Sequence, residues 1–251
     1  PFPVMFWIHG GAFIYGSGDD PPYDPTRLLQ EGVILVTINY RLGALGFLAH
    51  PAFVAEHGQP GNYGLMDQAK ALQWVQNNIA NFNGDPGNVT IFGESAGGHS
   101  VLSLLVADLT GYSADALFHR AIVESGSFQP TQMLAQNGYY AYGLPFADLL
   151  GYPGGTGTGP CSVANCPAGQ SCDTDAGIRA CLRSLPVATI LATQESGLYI
   201  PVYYPDTFLP QSIDSGLSNG QFARVPVMIG SNRDEGTLFA AMYMGDYNYF
   251  S

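Results

Sequence analysis

Apolar residues along the chain gather into five short runs that are rich in Val, Ile and Phe. Within each run the apolarity is continuous rather than alternating, which is typical of parallel strands covered on both faces. These runs predict five buried strands, at Val4–Ile8, Val33–Asn39, Val89–Phe92, Ala121–Glu124 and Val225–Ile229.

Helical patterns lie between these strands. From Gly64 to Asn78, the three-and-four spacing of one helix face is followed by Leu65, Ala69, Leu72 and either Val75 or Gln76. A second helix is predicted from about Ala96 to Val106. Strands that alternate with helices build βαβ units. We therefore expect an α/β fold, with a mostly parallel central sheet and helices on both faces, in a single domain over residues 1–251.

Residues from about 131 to 220 break this alternation. The segment is rich in glycine and contains all four cysteines. We interpret it as an insertion over the carboxyl edge of the sheet. Such a segment either shapes an entrance for a ligand or is a plain structural excursion.

The four cysteines allow three disulfide pairings. Two local bridges are predicted, Cys161 to Cys166 and Cys172 to Cys181. A zinc site is the alternative, but it would need a Cys-x-x-Cys pair or a nearby histidine, and the segment has neither. Because disulfides persist in oxidising compartments, the bridges indicate a secreted or extracellular protein.

Charge and apolar run length exclude two classes of partner. Lys and Arg total 8 against 20 Asp and Glu, a formal net charge of -12, which is the wrong sign for a nucleic-acid ligand. No apolar run is long enough to span a bilayer, so no transmembrane segment is expected. Residues Pro1–Val4 lack the basic and apolar regions of a signal peptide.

The strongest chemical signal is Gly93-Glu94-Ser95-Ala96-Gly97, between a predicted strand and a predicted helix. Gly-x-Ser-x-Gly in this position is the nucleophile elbow of α/β-hydrolases, where a strained turn exposes the serine hydroxyl. Gly93 and Gly97 leave room for that turn. The alternative is a glycine-rich turn with an ordinary serine.

A second signal is His9-Gly10-Gly11-Ala12-Phe13, directly after the first strand. An oxyanion needs backbone N–H groups that side chains do not obstruct, and small residues allow that approach. His9 is expected to hold this loop rather than to take part in catalysis. A plain strand-end glycine turn is the alternative.

A third signal is the acidic pair Asp234-Glu235, which follows the fifth strand. In this fold the acid of a catalytic triad comes after the nucleophile, in a loop at a strand's carboxyl end. From the residues alone, either carboxylate could orient an imidazole.

Together the motifs resemble the type-B carboxylesterase/lipase family, which includes cholinesterases, fungal lipases, sterol esterases and bacterial nitrobenzyl esterases. The likeness runs from Pro3 to about Tyr243 and is highly specific up to Ser127. The segments that carry it are Asn62–Gln68, Gln73–Val75, Gly84–Pro86, Val89–Gly98 and Asn232–Thr237.

The resemblance implies roles for individual residues. Glu235, and not Asp234, would be the triad acid beside the nucleophile Ser95, and the oxyanion hole would be formed by the N–H groups of Gly11, Ala12 and Ala96. Many relatives have a third glycine where this chain has Ala12, whose N–H is still available.

The resemblance also implies supporting roles for two further residues and a counterpart in relatives for one of the predicted disulfides. Ser125 corresponds to a serine that hydrogen-bonds around the acid in relatives, although a strand-end turn serine is equally compatible with the sequence. Glu94, inside the elbow, is the second supporting residue. A bridge from Cys172 to Cys181 resembles the second disulfide of the secreted fungal lipases.

A serine hydroxyl needs a histidine base, and the fold places that histidine after the acid. All five histidines, His9, His50, His57, His99 and His119, precede Glu235. His99 is expected to be packed or capping. We therefore expect a sheet that is incomplete at both ends, in an internal fragment or one chain of a cleaved enzyme, with the catalytic histidine outside this chain or on a second chain.

The predicted activity is hydrolysis of carboxylic esters through an acyl-enzyme, on small-molecule or lipid esters, without cofactor or metal. The residues do not choose between a carboxylesterase and a lipase or sterol esterase. The alternative from another class is a non-catalytic adhesion domain of the neuroligin-like kind, although such domains typically lose the serine.

Overall fold

The computed structural model describes residues 1–50, 52–54, 58, 61–112, 116–126, 134–135, 174–194, 199–237 and 240. At its centre lies one sheet of five parallel strands in the order β2-β1-β3-β4-β5. The strands are β1 (Phe2–Ile8), β2 (Ile34–Thr37), β3 (Gly84–Glu94), β4 (Arg120–Glu124) and β5 (Val227–Gly230). Each falls on a predicted apolar run, which confirms the parallel α/β sheet.

Seven α-helices have both of their ends in the described part of the chain. They are α1 (Thr26–Leu29), α2 (Gly43–Phe47), α3 (Tyr63–Asn78), α4 (Ala96–Val106), α5 (Asp175–Ser184), α6 (Val187–Thr193) and α7 (Ile213–Ser218). The bounds predicted for α4 are those observed, and α3 begins one residue earlier than predicted. Short 3-10 turns lie at Pro21–Tyr23, Ile79–Phe82 and Thr110–Tyr112.

Helix α3 packs through the predicted stripe. Leu65, Ala69, Leu72 and Val75 are fully buried, and burial of a side chain as large as leucine or valine stabilises the fold by about 1.5–3 kcal/mol. The side chain of Asn62, just before the helix, holds the backbone of Val202 through two hydrogen bonds, from Asn62 Nδ2 to Val202 O and from Val202 N to Asn62 Oδ1.

Helix α4 is buried along its whole length and contacts β1, β3, β4, α3 and α7. A helix that is enclosed on all sides has no need of a polar face, which explains its apolar sequence. The backbone N–H of Asp108, just beyond α4, donates to Phe208 O (2.9 Å), and the N–H of Ala223 donates to Leu105 O (2.8 Å).

The prediction of burial is wrong for β5. Val227, Met228 and Ile229 are 44%, 68% and 58% exposed, whereas Ile91 and Val123 of β3 and β4 are fully buried. Among the described strands, β5 pairs with β4 alone, and the helix contacts described for this chain fall mainly on the other strands. A continuously apolar strand is expected to pack against other segments on both faces, but the pattern does not identify those segments.

The described parts of the predicted insertion pack against the core. Gln194 Oε1 accepts from the N–H of Ala44 (3.0 Å), and the guanidinium of Arg179 donates to the carbonyl of Ala52. Of the aromatic side chains in this segment, Tyr199 and Phe208 are buried in the core. The bounds of the insertion and its position over the sheet edge stay predictions.

Cys181, in α5, is fully buried and disulfide-bonded. Cys161, Cys166 and Cys172 lie outside the described residues, so the predicted pairing stays a prediction. Of the helices in the described segments, none is long and apolar enough to cross a membrane.

Candidate active site

The carboxyl ends of β1 and β3 meet at the point where the sheet order reverses. The chain runs from β1 to β2 on one side and then crosses to β3 on the other. Open α/β sheets bind ligands in the crevice at such a switch point. The two glycine motifs of the sequence follow these two strands, so the topology brings them to one place.

Ser95 occupies the turn between β3 and α4, with φ 55° and ψ -119°. A non-glycine residue with this backbone is strained, and such strain persists only where the surrounding structure enforces it. Two hydrogen bonds hold the turn: the N–H of Ser95 donates to Glu124 O, and the N–H of His99 donates to Ser95 O, both at 2.9 Å.

The glycines on either side of Ser95 are required by close backbone contacts. A Cβ placed on Gly97 would lie 2.0 Å from Ile8 O, and one on Gly93 would lie 2.6 Å from the carbonyl carbon of Gly97. Both distances are far inside van der Waals contact. The expectation that these glycines make room for the turn is confirmed.

The loop predicted to form the oxyanion hole, residues His9–Phe13 and called the oxyanion loop below, contains three successive positive φ angles: 102° at Gly11, 53° at Ala12 and 63° at Phe13. A Cβ on Gly10 would lie 3.2 Å from both Ser95 Cβ and Glu94 Oε2. The loop therefore lies directly against the serine turn.

Hydrogen bonds to two carbonyl groups set the direction of the loop N–H groups. His9 Nδ1 donates to Gly10 O at 2.8 Å, and Gly11 O accepts from the N–H groups of Ile14 and Tyr15 at 3.0 and 3.1 Å. In a trans peptide the N–H points opposite to the C=O. The N–H groups of Gly11 and Ala12 are therefore turned away from these partners, as donors to a developing oxyanion would be.

Two tyrosines that the sequence analysis does not single out support the oxyanion loop. Tyr40 Oη donates to His9 O at 2.9 Å, and its ring stacks on His9 with centroids 4.4 Å apart. Burial raises the pKa of Tyr23, and a hydrogen bond from the backbone of Gly10 partly offsets the rise. Tyr40 follows the end of β2, so its place in the sequence could have indicated a position at the carboxyl edge of the sheet. Tyr23 lies in a 3-10 turn, and no sequence pattern indicates its position.

Glu235 is the acidic residue that the structure ties to the sheet. Its Oε1 accepts from Ser125 Oγ (2.5 Å) and from the N–H of Asn232 (2.6 Å). The hydrogen bond from Ser125, followed by that from Asn232, lowers the pKa of Glu235, so the carboxylate stays ionised. Asp234 is exposed and lies 3.4 Å from Arg233 Nε.

Ser125 links β4 to β5 and to the acid. Its backbone has φ 50°, and its N–H donates to Gly230 O at 2.8 Å while its hydroxyl reaches Glu235. The structure thus brings these two predicted residues together. The contribution of Asn232 was missed, because a backbone donor carries no side-chain signal.

Glu94 lies beside Glu124, its register partner on the next strand. Burial, the charge of Glu124 and the charge of Glu235, in that order, raise the pKa of Glu94. The structure therefore places a carboxyl group with a raised pKa next to the serine turn, and its supporting role stays a prediction.

The described histidines hold structural positions. His9 Nδ1 is bound to Gly10 O, His50 Nδ1 accepts from the N–H of Ala52 (3.0 Å), and His119 Nδ1 accepts from the N–H of Val89 (3.2 Å). Burial lowers the pKa of His99 to about 4, and a hydrogen bond with the Gly126 backbone opposes this shift. His57 lies outside the described residues.

Within the described segments, no three His, Cys, Asp or Glu side chains are grouped so that they could hold a metal ion. The groups that the structure describes at this edge of the sheet are a serine in a strained turn, a glycine loop packed against that turn and an ionised carboxylate held by Ser125. This set suits attack on a carbonyl carbon with an oxyanion beside it.

Ser125→Ala tests the link to the acid. Because the pKa of Glu235 is lower in the folded state, the bond from Ser125 stabilises the fold above the unfolded-state pKa of about 4.3. That contribution is lost as pH falls through the lower folded-state pKa. We expect a lower melting temperature for the variant at pH 7, with the difference from wild type narrowing on acidification.

Ser184→Ala is the matched control, since the Ser184 hydroxyl donates to a backbone carbonyl, that of Cys181, at 2.7 Å. Its melting-temperature difference from wild type should not change with pH. A difference for Ser125→Ala that is equally independent of pH would contradict the predicted link.

A parallel α/β sheet that presents a serine in a strained strand-to-helix turn at its switch point defines the α/β-hydrolase class. Within that class, the chain belongs to the carboxylesterase family, whose sequence profile matches residues 1–251.

Named relatives agree with this assignment. The chain is 39% identical over 242 residues to fumonisin B1 esterase of Sphingopyxis macrogoltabida, covering 94% of this chain and 40% of that protein. It is 38% identical over 238 residues to para-nitrobenzyl esterase of Bacillus subtilis strain 168, covering 94% and 44%. It is also 38% identical over 234 residues to human cocaine esterase, covering 93% and 37%.

Solved structures show the same fold. A PNB esterase structure superimposes with a TM-score of 0.76 at 35% identity, covering 95% of this chain and 47% of that one. The Geobacillus stearothermophilus carboxylesterase EST55 superimposes with a TM-score of 0.78 at 35% identity, covering 97% and 48%. The chain therefore spans less than half the length of each of these relatives.

Proposed function

We propose that the full-length protein containing this chain hydrolyses carboxylic esters through an acyl-enzyme. The observation that carries the proposal is the backbone of Ser95, φ 55° and ψ -119°, directly against a loop in which the N–H groups of Gly11 and Ala12 point away from the hydrogen-bond partners of the adjacent carbonyls. Membership of the carboxylesterase family and the names of the relatives support it.

In the proposed reaction, Ser95 Oγ attacks the ester carbonyl as a histidine takes its proton. The oxyanion is held by the N–H groups of Gly11, Ala12 and Ala96. Because Ala96 is the first residue of α4, its N–H needs no partner within the helix. The alcohol leaves with a proton from the histidine, and water then attacks the acyl-enzyme to release the acid.

Glu235 is proposed to orient the histidine and to stabilise its protonated form. Oε1 of Glu235 is occupied by Ser125 and Asn232, so Oε2 is the atom proposed to receive the imidazole N–H. An acid that stays ionised suits this role, because it must accept a hydrogen bond and keep its charge.

The base itself is proposed to be a histidine outside residues 1–251, on the same polypeptide or on a second chain. The support is the placement of the described histidines. His9, His50 and His119 hold backbone groups, and His99 is buried within α4.

The proposed substrates are small-molecule esters, as the names para-nitrobenzyl esterase and cocaine esterase indicate for the relatives. Within ester hydrolysis, the alternative is lipase activity on insoluble lipid. Hydrolysis of a short-chain ester in solution, with no jump in rate when the substrate forms an interface, would support the carboxylesterase.

We further propose a secreted or extracellular location. The disulfide bond at Cys181 supports an oxidising compartment. The adhesion-domain alternative is not favoured, because the similar proteins are named as esterases and Ser95 sits in a strained turn that an adhesion domain does not need.

Covalent labelling tests the proposal most directly. The full-length protein, treated with a fluorophosphonate, should take up one equivalent of probe, and the labelled peptide should contain Ser95. A short-chain p-nitrophenyl ester should be hydrolysed by the untreated protein and not by the labelled one. Labelling of another serine, or hydrolysis that survives full labelling, would overturn it.

A further inference from the structure

The imidazole of His99 lies where three segments of the proposed active site meet. His99 is the fourth residue of α4 and 2% exposed. Its ring and that of Phe13 in the oxyanion loop form a T-shaped pair, with centroids 5.7 Å apart and planes at 80°. Aromatic rings in this edge-on arrangement attract each other beyond the burial of their area.

The same residue contacts the turn that carries the serine. The backbone N–H of His99 donates to Ser95 O at 2.9 Å, and its carbonyl accepts from Ser103 Oγ at 2.9 Å. The bond to Ser95 O is a main-chain bond, and it joins the first turn of α4, and with it the imidazole, to the serine turn.

The third contact is with the acid-holding turn, residues Glu124–Gly126. The imidazole makes a hydrogen bond with the Gly126 backbone that favours the protonated ring, so the ring donates and the Gly126 carbonyl accepts. In this turn Ser125 holds Glu235, and Glu124 O accepts from the N–H of Ser95.

The backbones of α4 and the acid-holding turn are in close contact. A Cβ on Gly126 would lie 2.3 Å from the carbonyl carbon of Gly98 and 2.7 Å from His99 N, and a Cβ on Gly98 would lie 2.9 Å from Gly126 Cα. Backbone here meets backbone, so a shift of either segment moves the other.

We propose that His99 is a positioning residue that holds the oxyanion loop, the serine turn and the acid-holding turn in register for the reaction. The inference rests on the proposed ester hydrolysis and gives His99 a role through its contacts with these three segments. Burial lowers the pKa of the ring, so His99 is neutral near pH 7. A neutral imidazole still has one N–H group, and this group donates the hydrogen bond to the Gly126 carbonyl.

The test compares His99→Ala with Val101→Ala in the full-length protein. Val101 lies on the same helix and is fully buried, so its truncation reports the stability cost of a cavity in α4. For His99→Ala we expect kcat to fall about tenfold or more with KM within about twofold, because small misplacements of reacting groups lower the rate steeply. Val101→Ala should lower the melting temperature and leave kcat nearly unchanged.

Two further measurements separate positioning from stability. Backbone hydrogen exchange should accelerate in residues 9–13 and 124–126 of His99→Ala and not in those of Val101→Ala. His99→Gln, which restores an N–H for the Gly126 carbonyl, should recover part of the lost kcat. Where the alanine variant does not fold, His99→Leu replaces it, since leucine fills the volume without the donor.

An unchanged exchange pattern, or a kcat loss no larger than that of Val101→Ala, would overturn the role of His99. Ester hydrolysis by the wild-type protein is judged separately. If exchange accelerates in His99→Ala but the wild-type protein hydrolyses no ester, the proposed function is wrong. The coupling of the three segments through His99 would still be supported.

Discussion

Ser95→Ala in the full-length protein is expected to lower kcat for a soluble ester by at least about a thousandfold, because it removes the nucleophile while the oxyanion loop and binding surface remain. The fold should tolerate the change. The Ser95 backbone bonds to Glu124 O and from His99 N do not involve the hydroxyl. A steady-state assay beside a thermal melt measures both effects.

Ser103→Ala is the matched control for the nucleophile. Ser103 lies on the same helix and is fully buried, and its hydroxyl donates to the backbone carbonyl of His99 at 2.9 Å. Its kcat should stay within about threefold of wild type, as expected for the loss of one ordinary hydrogen bond. Substantial turnover in Ser95→Ala would remove Ser95 from the proposed mechanism.

Gly97→Ala is expected to have the largest effect on stability. Its Cβ would lie 2.0 Å from Ile8 O and 3.0 Å from His9 O, both of them backbone atoms. Neither oxygen can rotate aside, so α4 or β1 must move. Overpacking of this kind costs about 3 kcal/mol of unfolding free energy.

The same substitution should also lower kcat, because the displaced backbone carries both the serine turn and the start of the oxyanion loop. Denaturant unfolding of the full-length protein measures the loss. Gly111→Ala is the control, since a Cβ there meets nothing within 4 Å, and its effect should stay within about 0.5 kcal/mol. Equal unfolding free energies for the two variants would contradict the close packing at Gly97.

Much of the fold could be predicted from local pattern. Each of the five strands and the helices α3 and α4 was visible in the sequence, because a parallel strand or a buried helix face must be apolar wherever it lies in the chain. The error concerned burial at the two edges of the sheet, where β2 is only half-buried and β5 is exposed. Val227–Ile229 is apolar enough to be enclosed, but exposure depends on which segments pack beside it, and that is a property of the tertiary arrangement.

The candidate site divides in the same way. The spacing of Gly93, Ser95 and Gly97 indicated a strained turn, and the structure has the serine at φ 55° with glycines that accept no side chain. For the acid, the residues alone left Asp234 and Glu235 open, and the family resemblance pointed to Glu235. In the structure Glu235 receives bonds from Ser125 and Asn232, while Asp234 faces Arg233 in solvent.

Local residue patterns were enough to predict the class of fold, the serine turn and the glycine loop, because these depend on residues adjacent in the chain and on the steric needs of a few backbone positions. The relative placement of these parts depends on the packing of the whole sheet. The sheet order brings the ends of β1 and β3 together, and one hydrogen bond across 110 residues of sequence joins Ser125 to Glu235. Such contacts join residues that the chain separates, so no local pattern records them, and they follow from which strands pair.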